Sequence, residues 1–215
     1  MPQHPHTHAP YEDTAATPTA PASSEHLSAV VELLLEKGVL TADEIRRKRS
    51  ELQERDPGNG GRVVARAWTD QGFRQRLLQD AAGATAELGL TAVTPSQARL
   101  VALENSPNRH HVVVCTLCSC YPTALLGPPP GWYRSVDYRT RVVEEPRAVL
   151  AEFGLHLPED VDLVVVDSTA DIRYLVLPQR PSGTENLSED ELAKLVTRDS
   201  LIGVGEPLRP TVTRR

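Results

Sequence analysis

A chain of 215 residues with 23 basic and 29 acidic side chains carries a net charge of −6, so it lacks the positive field expected of a nucleic-acid binder. With 40% hydrophobic and only 4% aromatic residues, and 18 prolines, it has a globular composition thin in rings. No apolar run approaches the roughly 18 residues of a membrane span, and Met1-Pro2-Gln3-His4-Pro5 lacks the basic and then apolar start of a signal peptide. The expectation is a cytoplasmic protein with neither a membrane nor a nucleic acid as partner.

Residues 1–24 read as a disordered tail of Pro, Thr, Ala, Ser and His, in which His4, His6 and His8 alternate without a rigid frame. From residue 25 the pattern is helical. Leu27, Val30, Val31, Leu34 and Leu35 form one stripe, and Gly38 ends it. Thr41 with Glu44 predicts a capping box for a second helix, and Asp56-Pro57-Gly58-Asn59-Gly60-Gly61 is expected to break it. The basic run Arg46-Arg47-Lys48-Arg49 is interleaved with Asp43, Glu44, Glu51 and Glu54, which makes it a charged helix face.

A third helix is expected from about 70 to 88, with Phe73, Leu77, Ala81, Ala84 and Leu88 on one side and Gly89 as the stop. Residues 99–104, 110–114, 161–166 and 172–177 are β-prone. A proline-rich stretch, Pro128-Pro129-Pro130-Gly131, precedes a helix over 146–153, and Ser188 with Glu191 caps a last one. This irregular order predicts an α+β fold, with a helical N-terminal arm over 25–68 and an α+β globular part over 69–215.

All three cysteines fall within six residues, Cys115-Thr116-Leu117-Cys118-Ser119-Cys120, so they cannot staple distant segments. A structural zinc site is one ligand short unless His110 or His111 completes it, and an iron–sulfur site is also short. Cys115 and Cys118 have the C-x-x-C spacing of a redox pair, but the β-run before them does not suit that motif. A further reading uses the backbone. The Cys118 and Cys120 thiolates with the deprotonated amides of Ser119 and Cys120 can form an N₂S₂ base, with Cys115 axial and one position open. Such strong donors favour a small trivalent ion, and an open position makes it a Lewis acid.

Cys115-Thr116-Leu117-Cys118-Ser119-Cys120-Tyr121-Pro122 resembles the metal-binding motif of nitrile hydratase α subunits. The resemblance continues through Leu126-Gly127, Pro129-Pro130, Trp132-Tyr133, Arg139, Arg141-Val142-Val143 and Pro146-Arg147. It extends to Arg173-Tyr174, Leu177-Pro178-Gln179-Arg180-Pro181, Gly183-Thr184-Glu185 and Leu201-Ile202-Gly203-Val204, and upstream to 61–68 and Glu104-Asn105. The metal-bearing subunit of thiocyanate hydrolase shares the motif and is the alternative. A zinc-stabilised binding module is the non-enzymatic one.

The resemblance implies a layered α-β-β-α metal-binding domain over 69–215 and a lyase that hydrates a nitrile to its amide, as a heteromer with a β subunit of one or two different chains. Thr116, where iron-type members usually carry serine, implies noncorrin cobalt(III), one per chain, with iron(III) second. Cys115, Cys118, Ser119 and Cys120 are then the metal ligands. Cys118 is implied as the sulfinic acid, Cys120 as the sulfenic acid, and both as catalytic. Attack on the nitrile carbon falls to the Cys120 sulfenate or to activated water. Arg173 and Gln97 are the candidate supporting groups, Gln97 one residue off the family's glutamine. The family usually continues Cys-Tyr-Pro-Trp, whereas Thr123 stands here. Loss of that indole predicts a wider, more polar pocket for a bulky or heteroaromatic nitrile.

Overall fold

The computed structural model describes residues 24–53, 55–90 and 99–210. Residues 1–23 of the expected tail, with its alternating histidines, and Gln97 lie outside these residues.

Helix α1 (Ser24–Glu36) ends at Gly38, whose φ of +65° reverses the chain. Helix α2 (Ala42–Gln53) starts with the predicted box: Glu44 N–H donates to Thr41 Oγ1 at 3.2 Å, and Thr41 N–H donates to Glu44 Oε2 at 2.8 Å. Three aspartates then divide the chain. Asp56, Asp70 and Asp80 cap α3 (Pro57–Thr69), α4 (Gln71–Gln79) and α5 (Ala81–Glu87) through bonds from Gly58, Phe73 and Gly83 N–H. The single helix expected over 70–88 is thus two, because the Asp80 side chain competes for the backbone.

The Pro-Gly-Asn-Gly-Gly stretch ends α2 as expected, but it also forms the first turn of α3. Proline suits that position, where its missing N–H is no loss. Packing selects the glycines. A Cβ at Gly61 would lie 2.7 Å from the Ala193 carbonyl oxygen, so only a bare backbone lets α3 lie against α10 (Glu189–Ala193). Although α3 falls inside the 25–68 segment, it buries Val63, Val64, Ala65 and Ala67.

Four strands form two parallel ladders. β1 (Arg99–Glu104) pairs with β4 (Ile172–Leu177), and β2 (Arg109–Val114) pairs with β3 (Asp162–Asp167). The short links 105–108 and 168–171 carry the chain between ladders instead of closing hairpins. Helices α4 and α5 cover β1. α6 (Thr123–Leu126), α7 (Gly131–Arg134), α8 (Val136–Glu144) and α9 (Pro146–Glu152) make the crossover from β2 to β3, with α9 against β3. α11 (Arg198–Ile202) closes over β2 and β4. The fold is α+β, and the predicted strands, the helix at 146 and the Ser188–Glu191 capping box all occur in it.

Five of the few aromatic residues, Tyr121, Trp132, Tyr133, Tyr138 and Phe153, gather in one place. Trp132 meets Tyr138 and Phe153 at ring-centroid distances of 4.9 and 4.7 Å, and Tyr133 meets Tyr121 at 5.1 Å. This edge-to-face cluster lies beneath the loop that follows β2. Among the described residues no helix is long and apolar enough to cross a membrane.

Candidate metal centre

Strand β2 is buried from Val112 to Val114 and delivers Cys115 into the core, while the next five residues turn outward. Cys115 is buried, Cys118 exposed and Cys120 half-buried, and all three are free thiols. Their Sγ atoms lie within 4.8 Å of one another. Cys118 Sγ is 3.4 Å from that of Cys115 and 3.2 Å from that of Cys120. The Cys118 N–H donates to Cys115 Sγ at 3.3 Å.

The cage is electrically uneven. Hydrogen bonds from the Cys120 and then the Cys115 side chain hold the Cys118 thiol below its ordinary range, and the Ser119 and Cys120 amides add to this. Burial, reinforced by the other two sulfurs, pushes the Cys120 thiol up to about 12, against the opposing charge of Arg173.

Neighbouring elements clamp the loop at each end. The β2–β3 register sets Val114 opposite Asp167, and Ser168 N–H donates to the Val114 carbonyl at 2.7 Å. Asp167 then reaches Thr116, accepting its N–H at 3.0 Å and its hydroxyl at 2.6 Å. Arg139 Nη1 donates to the Thr116 carbonyl at 3.2 Å. From the aromatic cluster, Tyr133 OH donates to the Cys120 carbonyl at 2.9 Å and Tyr138 OH to the Val113 carbonyl at 2.8 Å. Burial drives the Tyr133 phenol far above its ordinary range, so it stays a donor.

Of the residues singled out from sequence, Cys115, Cys118, Ser119 and Cys120 come together in this loop. Arg173 lies near enough for its charge to act on Cys120, with its Nη1 bonded to carbonyls of the 169–172 turn. Thr123 is half-buried at the start of α6, its N–H on the Tyr121 carbonyl at 2.9 Å. His110 and His111, weighed as a fourth zinc ligand, are engaged elsewhere. The His110 ring meets Gly203 and Asn105, and His111 Nδ1 meets Asn105 Oδ1. Among the described residues, the cluster that can share an ion here is the three cysteines without histidine or carboxylate.

Sequence reasoning missed the roles of Asp167 and Tyr138 and gave none to Tyr133 or Arg139. Asp167 had one usable signal, a carboxylate closing the apolar run Leu163–Val166. Cavities of about 430 and 690 Å³ lie by His110 and Arg180 and by Arg147 and Asp162. Neither is lined by the cysteine loop or Thr123.

The family model described as "Nitrile hydratase, alpha chain" matches residues 22–205. The low-molecular weight cobalt-containing nitrile hydratase subunit alpha of Rhodococcus rhodochrous is 48% identical over 198 residues, covering 90% of this chain and 95% of that protein. Thiocyanate hydrolase subunit gamma of Thiobacillus thioparus is 45% identical over 194 residues, covering 86% of this chain and 79% of that one. A solved structure of recombinant thiocyanate hydrolase comprising partially-modified cobalt centers superposes with a TM-score of 0.80 at 45% identity, over 89% of this chain and 92% of the other. With its cysteine loop and its sequence thus matched along nearly the whole length, the chain belongs to the nitrile hydratase alpha-chain family.

Proposed function

We propose that this chain is the metal-bearing α subunit of a cobalt nitrile hydratase, a lyase that adds water across a nitrile to give the amide. The observation that carries the reading is one loop holding three sulfurs within 4.8 Å, with the Cys118 N–H donating to Cys115 Sγ. The donor set fits a noncorrin cobalt(III), one per chain. Three thiolates and two amidates stabilise a high oxidation state, whereas closed zinc sites need a fourth side chain that this cluster lacks. Iron(III) ranks second, since Thr116 stands where iron-type relatives usually carry serine.

The ion would be held by Cys115, Cys118 and Cys120 sulfurs and by the Ser119 and Cys120 nitrogens. When bound, it supplies Lewis acidity toward a nitrile nitrogen or a water molecule. Cys118, exposed and with its thiol held below the ordinary range, is the position for sulfinic acid, Cys120 for sulfenic acid, and buried Cys115 remains a thiolate. Arg173 favours negative charge at Cys120. Attack on the nitrile carbon falls to the Cys120 sulfenate oxygen or to water. Gln97 is kept as a supporting group on the resemblance alone. Thr123, three residues after Cys120, leaves a broad polar wall suited to a bulky or heteroaromatic nitrile.

A β subunit, of one or two different chains, completes the site. Leu27, Val30, Leu33 and Val39 of the 25–68 arm are 49–64% exposed, a row that partner contact would cover. Free thiols suit the reducing cytoplasm, where we place the protein. The second reading, thiocyanate hydrolysis, is favoured by the thiocyanate hydrolase likeness. Assay of the assembled, cobalt-loaded complex against nitriles and thiocyanate decides between them. Amide formation without thiocyanate turnover supports the proposal, and the reverse overturns it.

A further inference from the structure

The seat of the cysteine loop includes a buried chain of hydrogen bonds whose donors and acceptors are all determined. Asn105 and His110 are only 7% and 8% exposed. The Asn105 Oδ1 accepts the His111 backbone N–H at 2.8 Å. A backbone N–H can only donate, so the side-chain amide cannot be flipped, and its nitrogen faces His110. That nitrogen lies 3.1 Å from His110 Nδ1 and can only donate, so Nδ1 must carry the lone pair. His110 Nε2 is 2.7 Å from the Gly203 carbonyl, which can only accept, so Nε2 carries the proton.

Gly203 is held for this contact. Its φ is +92° and a Cβ there would collide with the His111 carbonyl, so glycine alone lets α11 close on β2. Asn105 is anchored in turn by its N–H on Leu177 of β4. The network thus ties the root of β2, five residues before Cys115, to both β4 and the end of α11.

We propose that His110 is a positioning residue that works only when uncharged: the Asn105–His110–Gly203 chain admits the Nε2–H tautomer alone, and a second proton breaks the seat of the cysteine loop. Protonation would set an imidazolium N–H against the Asn105 N–H₂, donor against donor. The surrounding charges do not offset this. The hydrogen bond to Gly203 and then Glu206 favour the charged ring, while Arg180 and Arg209 line the same cavity and His111 stands beside it, itself influenced by Arg109 and Asp162. Burial accordingly holds His110 below its ordinary range.

The test is long-range ¹H–¹⁵N correlation on the full chain labelled at histidine, with backbone amides of 112–115 followed against pH. Expected at pH 6.5, where a free histidine is about half protonated, is a neutral His110 in the Nε2–H form. The 112–115 amides should shift in one step at lower pH. His110→Gln, which keeps a donor but cannot titrate, should abolish that step, and Asn105→Asp should turn His110 into an imidazolium at pH 6.5. A His110 that titrates at or above 6.5, or an Nδ1–H tautomer, overturns the proposal, as does the same step in His110→Gln. The wild-type spectrum decides even where a variant does not fold.

Discussion

Asp167 holds Thr116 twice, accepting its backbone N–H and its hydroxyl at 3.0 and 2.6 Å. The pairing of Val114 with Asp167 makes this possible, because it brings the end of β3 alongside the start of the loop. One carboxylate therefore fixes the turn between Cys115 and Cys118.

Asp167→Asn keeps the shape but loses an acceptor. The contact is exposed, so the loss should be modest, about 1 kcal/mol, or about 2–4 °C in the melting temperature of a chain this size. Cobalt retained after dialysis should fall more than the melting temperature suggests. Unchanged metal retention would show that the clamp does not shape the loop.

Tyr133→Phe removes the donor to the Cys120 carbonyl and leaves that oxygen unpaired. The expected destabilisation is about 1–3 kcal/mol, read by urea unfolding. The Tyr121–Tyr133 edge contact survives in this variant, so any loss reports the hydroxyl.

In the metal-free chain the thiols should differ. Cys118, exposed and held low, should be alkylated by iodoacetamide at pH 8 well before Cys120, whose thiol is pushed up to about 12. The linkage has a definite sign. The folded Cys120 value lies above the unfolded one of about 8.5. Its contribution to stability is therefore complete below that pH and is lost as pH rises toward about 12. Equal labelling of the two cysteines, resolved by peptide mass mapping, would contradict this.

On α1, Leu27→Glu with Val30→Glu alters side chains that are 64% and 53% exposed. The melting temperature of the chain alone should hold within about 1–2 °C, since surface changes cost under 0.5 kcal/mol. Recovery of the β subunit in co-purification should fall at least tenfold. Normal recovery would remove the arm from the interface.

Thr123→Trp should narrow the wall beside the loop. Turnover of a heteroaromatic nitrile by the assembled enzyme should drop relative to that of a small aliphatic one. Equal effects on both would reject the pocket assignment.

Much of the chemistry was legible because it is local. Three thiols in six residues declare themselves, as do the Thr41 and Ser188 capping boxes and the valine-rich strands. What was not legible depends on distant packing. The glycines of α3 look like a helix breaker until Ala193 lies against them, and Asp80 looks like one polar residue inside a helical stripe until its side chain takes the Gly83 N–H. The roles of Asp167 and Tyr138 exist only through strand register and a crossover, neither of which has a local signature.

Cobalt K-edge absorption on the purified, assembled complex addresses the central claim most directly. The account predicts a trivalent edge and a first shell with three sulfur scatterers and two amide nitrogens. A metal edge at zinc with a closed four-coordinate shell, or a shell containing imidazole, would contradict it.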